Sequence, residues 1–172
     1  ANLYVSSEYQ VTSENYKLVI VPFRMWESGG TPEMINLGKV QTLTSPTVSE
    51  EIIVVLGENR LMVLNANSYE SLFIKSDDFT PIRPIIGEGN IVYAVIEDSI
   101  VTYSISGLQL WKTNIPNGVG NNLVLDNEQG LYAINKLGNL YKFDVISGEA
   151  SLVSDLNFTS TLMSCIPVQI FQ

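Results

Sequence analysis

An internal repeat limits, more than any other feature, what this chain can fold into. Val54-Val55-Leu56-Gly57-Glu58-Asn59-Arg60-Leu61 lies in register with Tyr93-Ala94-Val95-Ile96-Glu97-Asp98-Ser99-Ile100, 39 residues further on. Another 39 residues bring Tyr132-Ala133-Ile134-Asn135-Lys136-Leu137-Gly138, followed by Asn139-Leu140 after one inserted residue. Each segment is an apolar run, a short polar break and a second apolar run, the pattern of a β-hairpin. The second run leads each time to a turn: Asn67-Ser68, Ser106-Gly107 and Ser147-Gly148. Four residues beyond each turn stands a large apolar side chain, Leu72, Trp111 and Leu152. A preceding strand recurs as well, in Pro46-Thr47-Val48, Pro84-Ile85-Ile86 and Leu123-Val124-Leu125.

No run of ten or more residues has helical apolar spacing with a clean cap. Strand signals run throughout, so the sequence predicts an all-β chain of antiparallel meanders. Four strands in a unit of about 40 residues is the signature of a β-propeller blade. The expected organisation is an irregular blade over 1–43, blades over 44–79, 80–116 and 117–158, and a closing strand over 159–172. Asn2-Leu3-Tyr4-Val5 reads as the second strand of the irregular blade and Tyr16 to Phe23 as its third. Ile166-Pro167-Val168-Gln169-Ile170 reads as the first strand of a further blade. The chain begins and ends inside apparent strands, as closure between termini requires, because a propeller must hide its edge strands. Propellers hold about 4–8 blades. The sequence therefore leaves open self-closure with four blades, half of an eight-blade ring made by two copies, and part of a larger propeller.

Composition excludes several functions. The 172 residues contain no histidine and one cysteine. That removes a Ser-His-Asp triad, a Cys-His pair, His-ligated zinc and any internal disulfide. The formal net charge of -9 argues against nucleic acid and anionic membranes as partners. No stretch approaches the 18 consecutive apolar residues of a membrane span. The start lacks an initiator Met and the features of a signal peptide.

Two units carry a family resemblance. They run from Asn90-Ile91-Val92-Tyr93-Ala94 to Leu110-Trp111-Lys112, and from Gly130-Leu131-Tyr132-Ala133 to Asp144-Val145-Ile146-Ser147-Gly148-Glu149. They resemble the quinoprotein-type (PQQ-like) propeller repeat, with its tyrosine-bearing strand, Gly-containing hairpin, Gly turn and outer-strand tryptophan. The resemblance is good over 80–158, fair over 44–79 and poor over 1–43. Only Trp111 keeps the tryptophan, with Leu72 and Leu152 in its place elsewhere. Enzymes of this family bind pyrroloquinoline quinone and a metal ion, often beside a cysteine pair. With Cys165 alone, this chain is closer to the non-enzymatic branch of envelope and surface scaffolds, such as the propeller lipoprotein that assists outer-membrane protein assembly. The resemblance implies an extracytoplasmic location and no cofactor.

The remaining motifs are weighed on residue type. Asp126-Asn127-Glu128-Gln129-Gly130 is oxygen-rich but lacks the spacing of an EF-hand loop, and reads as a hairpin loop. Gly87-Glu88-Gly89-Asn90 and Gly118-Val119-Gly120 precede strands, not helices, and read as turns rather than phosphate loops. Tyr93, Tyr132 and Tyr4 read as packing residues, and Cys165 as a buried small hydrophobe. Asn157-Phe158-Thr159 is a glycosylation acceptor pattern that matters only in a eukaryotic secreted protein. Trp26 and Arg24 stand in an insert, 24–36, that departs from the repeat, and their residue types suit an interface anchor.

The expectation is a non-catalytic scaffold that binds a protein or an extended ligand through its loops. The contact residues named are Arg24 and Trp26, Asp77 and Asp78, and Asn117 and Asn121 in the loop 117–122. Acidic loops favour basic partners. One alternative is a sensor or catalytic propeller that holds a small ligand or Ca²⁺ between Glu97, Asp98 and Asp126. Another is an assembly module that pairs with further copies through open β edges.

Overall fold

Short apolar runs, separated by breaks too brief for a crossover, make the chain double back on itself as antiparallel meanders. The computed structural model describes residues 2–8, 16–22, 33–38 and 44–155. Residues Arg24, Trp26, Asn157 and Cys165 and the expected strand over 159–172 lie outside the described residues. The chain divides into two compact units, Ala1–Pro81 and Ile82–Gln172.

The first unit holds two sheets. One is three-stranded: β1 (Asn2–Glu8), β2 (Tyr16–Pro22) and β3 (Glu33–Gly38), in that order. The other is four-stranded: β4 (Thr47–Val48), β5 (Ile52–Gly57), β6 (Arg60–Asn65) and β7 (Ser71–Ser76). Every residue of β5 is buried, as are the four central residues of β6. That explains their near-continuous apolar sequences, since a strand covered on both faces has no polar face to alternate with. One of these faces, with Ile53, Val55, Met62 and Leu64, packs against Ile35 of β3.

The second unit holds two four-stranded sheets. The first contains β8 (Ile85–Ile86), β9 (Val92–Ile96), β10 (Ser99–Tyr103) and β11 (Gln109–Asn114). The second contains β12 (Val119–Leu125), β13 (Leu131–Asn135), β14 (Asn139–Phe143) and β15 (Ala150–Asp155). β4 and β8 are only two residues long, and each follows a proline, whose missing N–H ends ladder pairing. The two sheets share one core: Tyr93, Val95, Ile100 and Trp111 of the first meet Leu123, Leu131, Ala133 and Phe143 of the second.

Polar contacts tie the two sheets at both ends of their strands. At one end, Glu88 N–H donates to Gln129 Oε1 (3.1 Å), and the Trp111 indole N–H donates to the Val145 carbonyl (2.9 Å). Beside them, the Thr113 hydroxyl donates to the Gly148 carbonyl (2.6 Å). At the other end, Lys136 Nζ lies 3.0 Å from Asp98 Oδ1. There the buried Asn135 amide also donates to the Pro116 carbonyl at 2.8 Å.

Register corrects two sequence expectations. Trp111 stands opposite Thr102 on β10. The residue opposite the matching Val63 of β6 is Phe73, not Leu72, because the turn before β7 closes from Asn65 on Glu70, one residue later than the turn from Ser104 to Leu108. The residue opposite the matching Lys142 of β14 is Ser151, not Leu152. Leu72 and Leu152 are accordingly exposed, at 39% and 57%. The second correction concerns Asn121, which the sequence puts in the loop 117–122 and which lies on β12. Val119 pairs with Asn135 and Leu123 with Ala133, so a bulge between them absorbs the glycine- and asparagine-rich stretch.

Candidate partner-binding groove

The turn after the third strand of each four-stranded sheet uses one device. The side-chain oxygen of its first residue accepts backbone N–H groups of the turn, as short polar side chains do. Asn65 Oδ1 accepts from Asn67 (2.8 Å) and Ser68 (2.9 Å). Ser104 Oγ accepts from Leu108 (3.1 Å). Asp144 Oδ1 accepts from Ile146 (3.0 Å) and Ser147 (2.7 Å), and from the Ser147 hydroxyl (2.9 Å). The loop between β12 and β13 does the same with Asp126 Oδ1, which accepts from Glu128 (2.9 Å) and Gly130 (2.7 Å).

In a four-stranded meander the first and third connections lie at the same end of the sheet. The Asp126 loop and the Asp144 turn therefore flank one open groove of about 430 Å³. Asp126, Glu128, Asp144 and Glu149 line it, opposed by Lys142. Lys142 Nζ lies 5.4 Å from the Tyr132 ring centroid. Its hydrogen bond with the Tyr132 hydroxyl, ahead of the charge interactions, holds the ammonium above its ordinary range. The Gly130 N–H, first among several donors, pulls the Asp126 carboxyl below its usual range. The backbone N–H and then the hydroxyl of Ser147 do the same for Asp144. The groove is thus a wall of carboxylates over one cation. It can hold an extended segment that carries positive charge.

These depressed carboxyls set a pH dependence. A group whose folded pKa lies below its unfolded value adds stability above the unfolded value, about 3.9 for Asp, and loses it as pH falls through the folded one. Wild type should exceed Asp144→Asn in melting temperature at pH 7, with the gap closing on acidification below about pH 4. Asparagine keeps the Oδ1 acceptor, so the comparison isolates the charge. A gap that stayed constant with pH would show that the carboxylate charge is not used.

The residues singled out in sequence fall elsewhere. Asp77 and Asp78 follow β7 in the first unit and are exposed; Asp78 N–H donates to Asp77 Oδ1 at 2.9 Å. Asn117 is exposed at a positive φ of 63° in the connection to β12, and Asn121 is exposed on β12. Arg24 and Trp26 lie outside the described residues. The carboxylates of the Ca²⁺ alternative do not converge. Glu97 and Asp98 form the β9–β10 hairpin, and Asp98 meets Lys136, which follows the end of β13, whereas Asp126 precedes its start. Among the described residues, no three of His, Cys, Asp and Glu come together to hold a metal ion.

Reasoning from sequence missed Glu128, Lys142, Asp144 and Glu149 as groove residues. The available signal was topological, since the repeat alone already implied that the two connections share an end.

No protein-family model and no curated sequence matches the chain. Its backbone is similar to several solved structures. BamB from Moraxella catarrhalis aligns with a TM-score of 0.62 and 10% identity, over 88% of this chain and 51% of that one. Residues 644–1017 of HIRA align at 0.58 and 13%, over 90% and 52%. Kluyveromyces lactis Hsv2 aligns at 0.60 and 12%, over 86% and 49%. The fold is of β-propeller type. At such identities the likeness is one of fold. The chain spans about half the length of each of these structures. No helix among the described residues is long and apolar enough to cross a membrane.

Proposed function

We propose that this chain is a non-catalytic propeller scaffold that binds a basic, extended segment of a protein partner along the Asp126–Asp144 groove. The observation that carries this reading is the groove itself. Two self-capped acidic loops at one sheet end line an open channel with Asp126, Glu128, Asp144 and Glu149. Loops held by their own backbone are preorganised, so little ordering entropy is lost on binding. The insert 24–36, with Arg24 and Trp26, and the exposed Asp77, Asp78, Asn117 and Asn121 are further contacts on the same reading. The PQQ-like ancestry belongs to it too, supported by Tyr93, Tyr132, Trp111 and the Gly148 turn. So do the blade limits 1–43, 44–79, 80–116 and 117–158 with a closing strand over 159–172, and an extracytoplasmic location.

The test is fluorescence anisotropy with a labelled Lys/Arg-rich extended peptide as the probe. Binding is expected at low salt, weakening as salt rises. E128Q/D144N/E149Q removes three of the carboxylates that line the groove and should weaken binding about tenfold. Absence of binding, or equal binding by the triple variant, would remove the groove from the account.

A further inference from the structure

β15 is the outer strand of its sheet, with β14 on one edge and no described strand on the other. An open edge is a template for pairing with another chain, and proteins blunt it with lysine or with a bulge that breaks the ladder. The outer strands β7 and β11 use both devices. β7 carries Lys75 and β11 carries Lys112. Their bulges fall at the second residue, Leu72 and Leu110, directly after the turn. β15 (Ala-Ser-Leu-Val-Ser-Asp) has no lysine, and its bulge falls at the fourth residue, Val153. Its first three residues, Ala150 to Leu152, pair in continuous register with Phe143, Lys142 and Tyr141. This unblunted end is the end at which the groove lies, and Ser151 lines that groove together with Glu149. Side chains alternate across a strand, so Leu152 faces away from the groove, and it is 57% exposed.

We infer that the partner segment binds by strand addition: it pairs with the open edge of β15, and its basic residues alternate with apolar ones. The inference rests on the reading of the groove as a site for a basic segment. Charge selects one face of the occupant. A strand laid along β15 sets every second side chain on the side of Ser151, where Asp126, Glu128, Asp144 and Glu149 line the groove. Its other side chains stand beside Leu152, which an apolar neighbour takes out of water. Main-chain hydrogen bonds to β15 supply affinity, and the alternation supplies selectivity. A segment with its charges in one block satisfies the groove but offers no apolar face to Leu152.

The test uses the 172-residue chain and two labelled peptides of one composition, the first with Lys and Val alternating and the second with them in separate blocks. By fluorescence anisotropy the alternating peptide should bind about tenfold more tightly. Leu152→Ser, at an exposed site, should weaken the alternating peptide about fivefold and leave the block peptide unchanged. In amide hydrogen exchange, alternate amides of β15 should slow when the alternating peptide is bound. Equal binding of the two peptides, or β15 exchange unchanged at saturation, overturns strand addition and leaves the groove reading standing. Binding of neither peptide removes both. Exchange at β15 that slows with rising protein concentration in the absence of peptide assigns the edge to a second copy and also overturns the inference.

Discussion

Replacing Trp111 with alanine should destabilise the second unit by about 3–5 kcal/mol, the usual loss for a buried tryptophan. Trp111 is 8% exposed and lies against Tyr93, with ring centroids 6.0 Å apart. It belongs to the core that joins β8–β11 to β12–β15. Alanine removes the ring and leaves a cavity between the sheets, because two hydrogen-bonded sheets cannot collapse onto each other without losing their register. The Val145 carbonyl also loses its indole donor. Urea unfolding followed by circular dichroism measures the effect. A loss below about 0.5 kcal/mol, typical of surface substitutions, would mean that the indole is not docked as described.

Gly148→Ala should cost about 2–4 kcal/mol, and most of that cost should vanish when Trp111 is already alanine. Two effects add. Gly148 has φ of +75°, where a side chain costs about 1 kcal/mol or slightly more. A Cβ there would also lie 2.5 Å from Cδ2 and 2.7 Å from Cε3 of Trp111. The ring cannot retreat without lengthening its bond to the Val145 carbonyl, so overpacking adds about 1–3 kcal/mol. In the Trp111→Ala background only the backbone term remains. The coupling energy from the double-mutant cycle should therefore be about 1–3 kcal/mol. Strict additivity would separate Gly148 from Trp111 and leave the turn explained by backbone conformation alone.

This pair also marks how far the sequence was readable. The hairpins β5–β6, β9–β10 and β13–β14 were legible because paired apolar runs with short polar breaks have few other ways to fold. The fourth strands were legible as elements but not in register. The turn that begins at Asn65 closes on Glu70, and the one that begins at Ser104 closes on Leu108, one residue sooner. Counting from the turn therefore picks Leu72 where pairing picks Phe73, and a one-residue slip moves a side chain to the opposite face. The first half of β12 was hidden for a different reason, while its Leu123-Val124-Leu125 end was legible. Gly118-Val119-Gly120-Asn121-Asn122 has the composition of a loop, and only its pairing with β13 makes it strand. Gly120 shows that constraint directly, since a Cβ there would lie 3.0 Å from the Ile134 carbonyl oxygen.

The groove was illegible for a third reason. Asp126 and Asp144 each read as an ordinary turn residue, and locally each is one, with its Oδ1 committed to backbone N–H groups. Their joint effect arises from strand direction, which brings two separate turns to one end and adds Glu128, Glu149 and Lys142 between them.

Amide chemical shifts during titration with the Lys/Arg-rich peptide test the central claim most directly. The account predicts that the largest shifts fall on the Asp126–Gly130 loop and the Asp144–Glu149 turn, and that added salt reverses them. Shifts confined to other loops, with these two segments unmoved at saturating peptide, would contradict it.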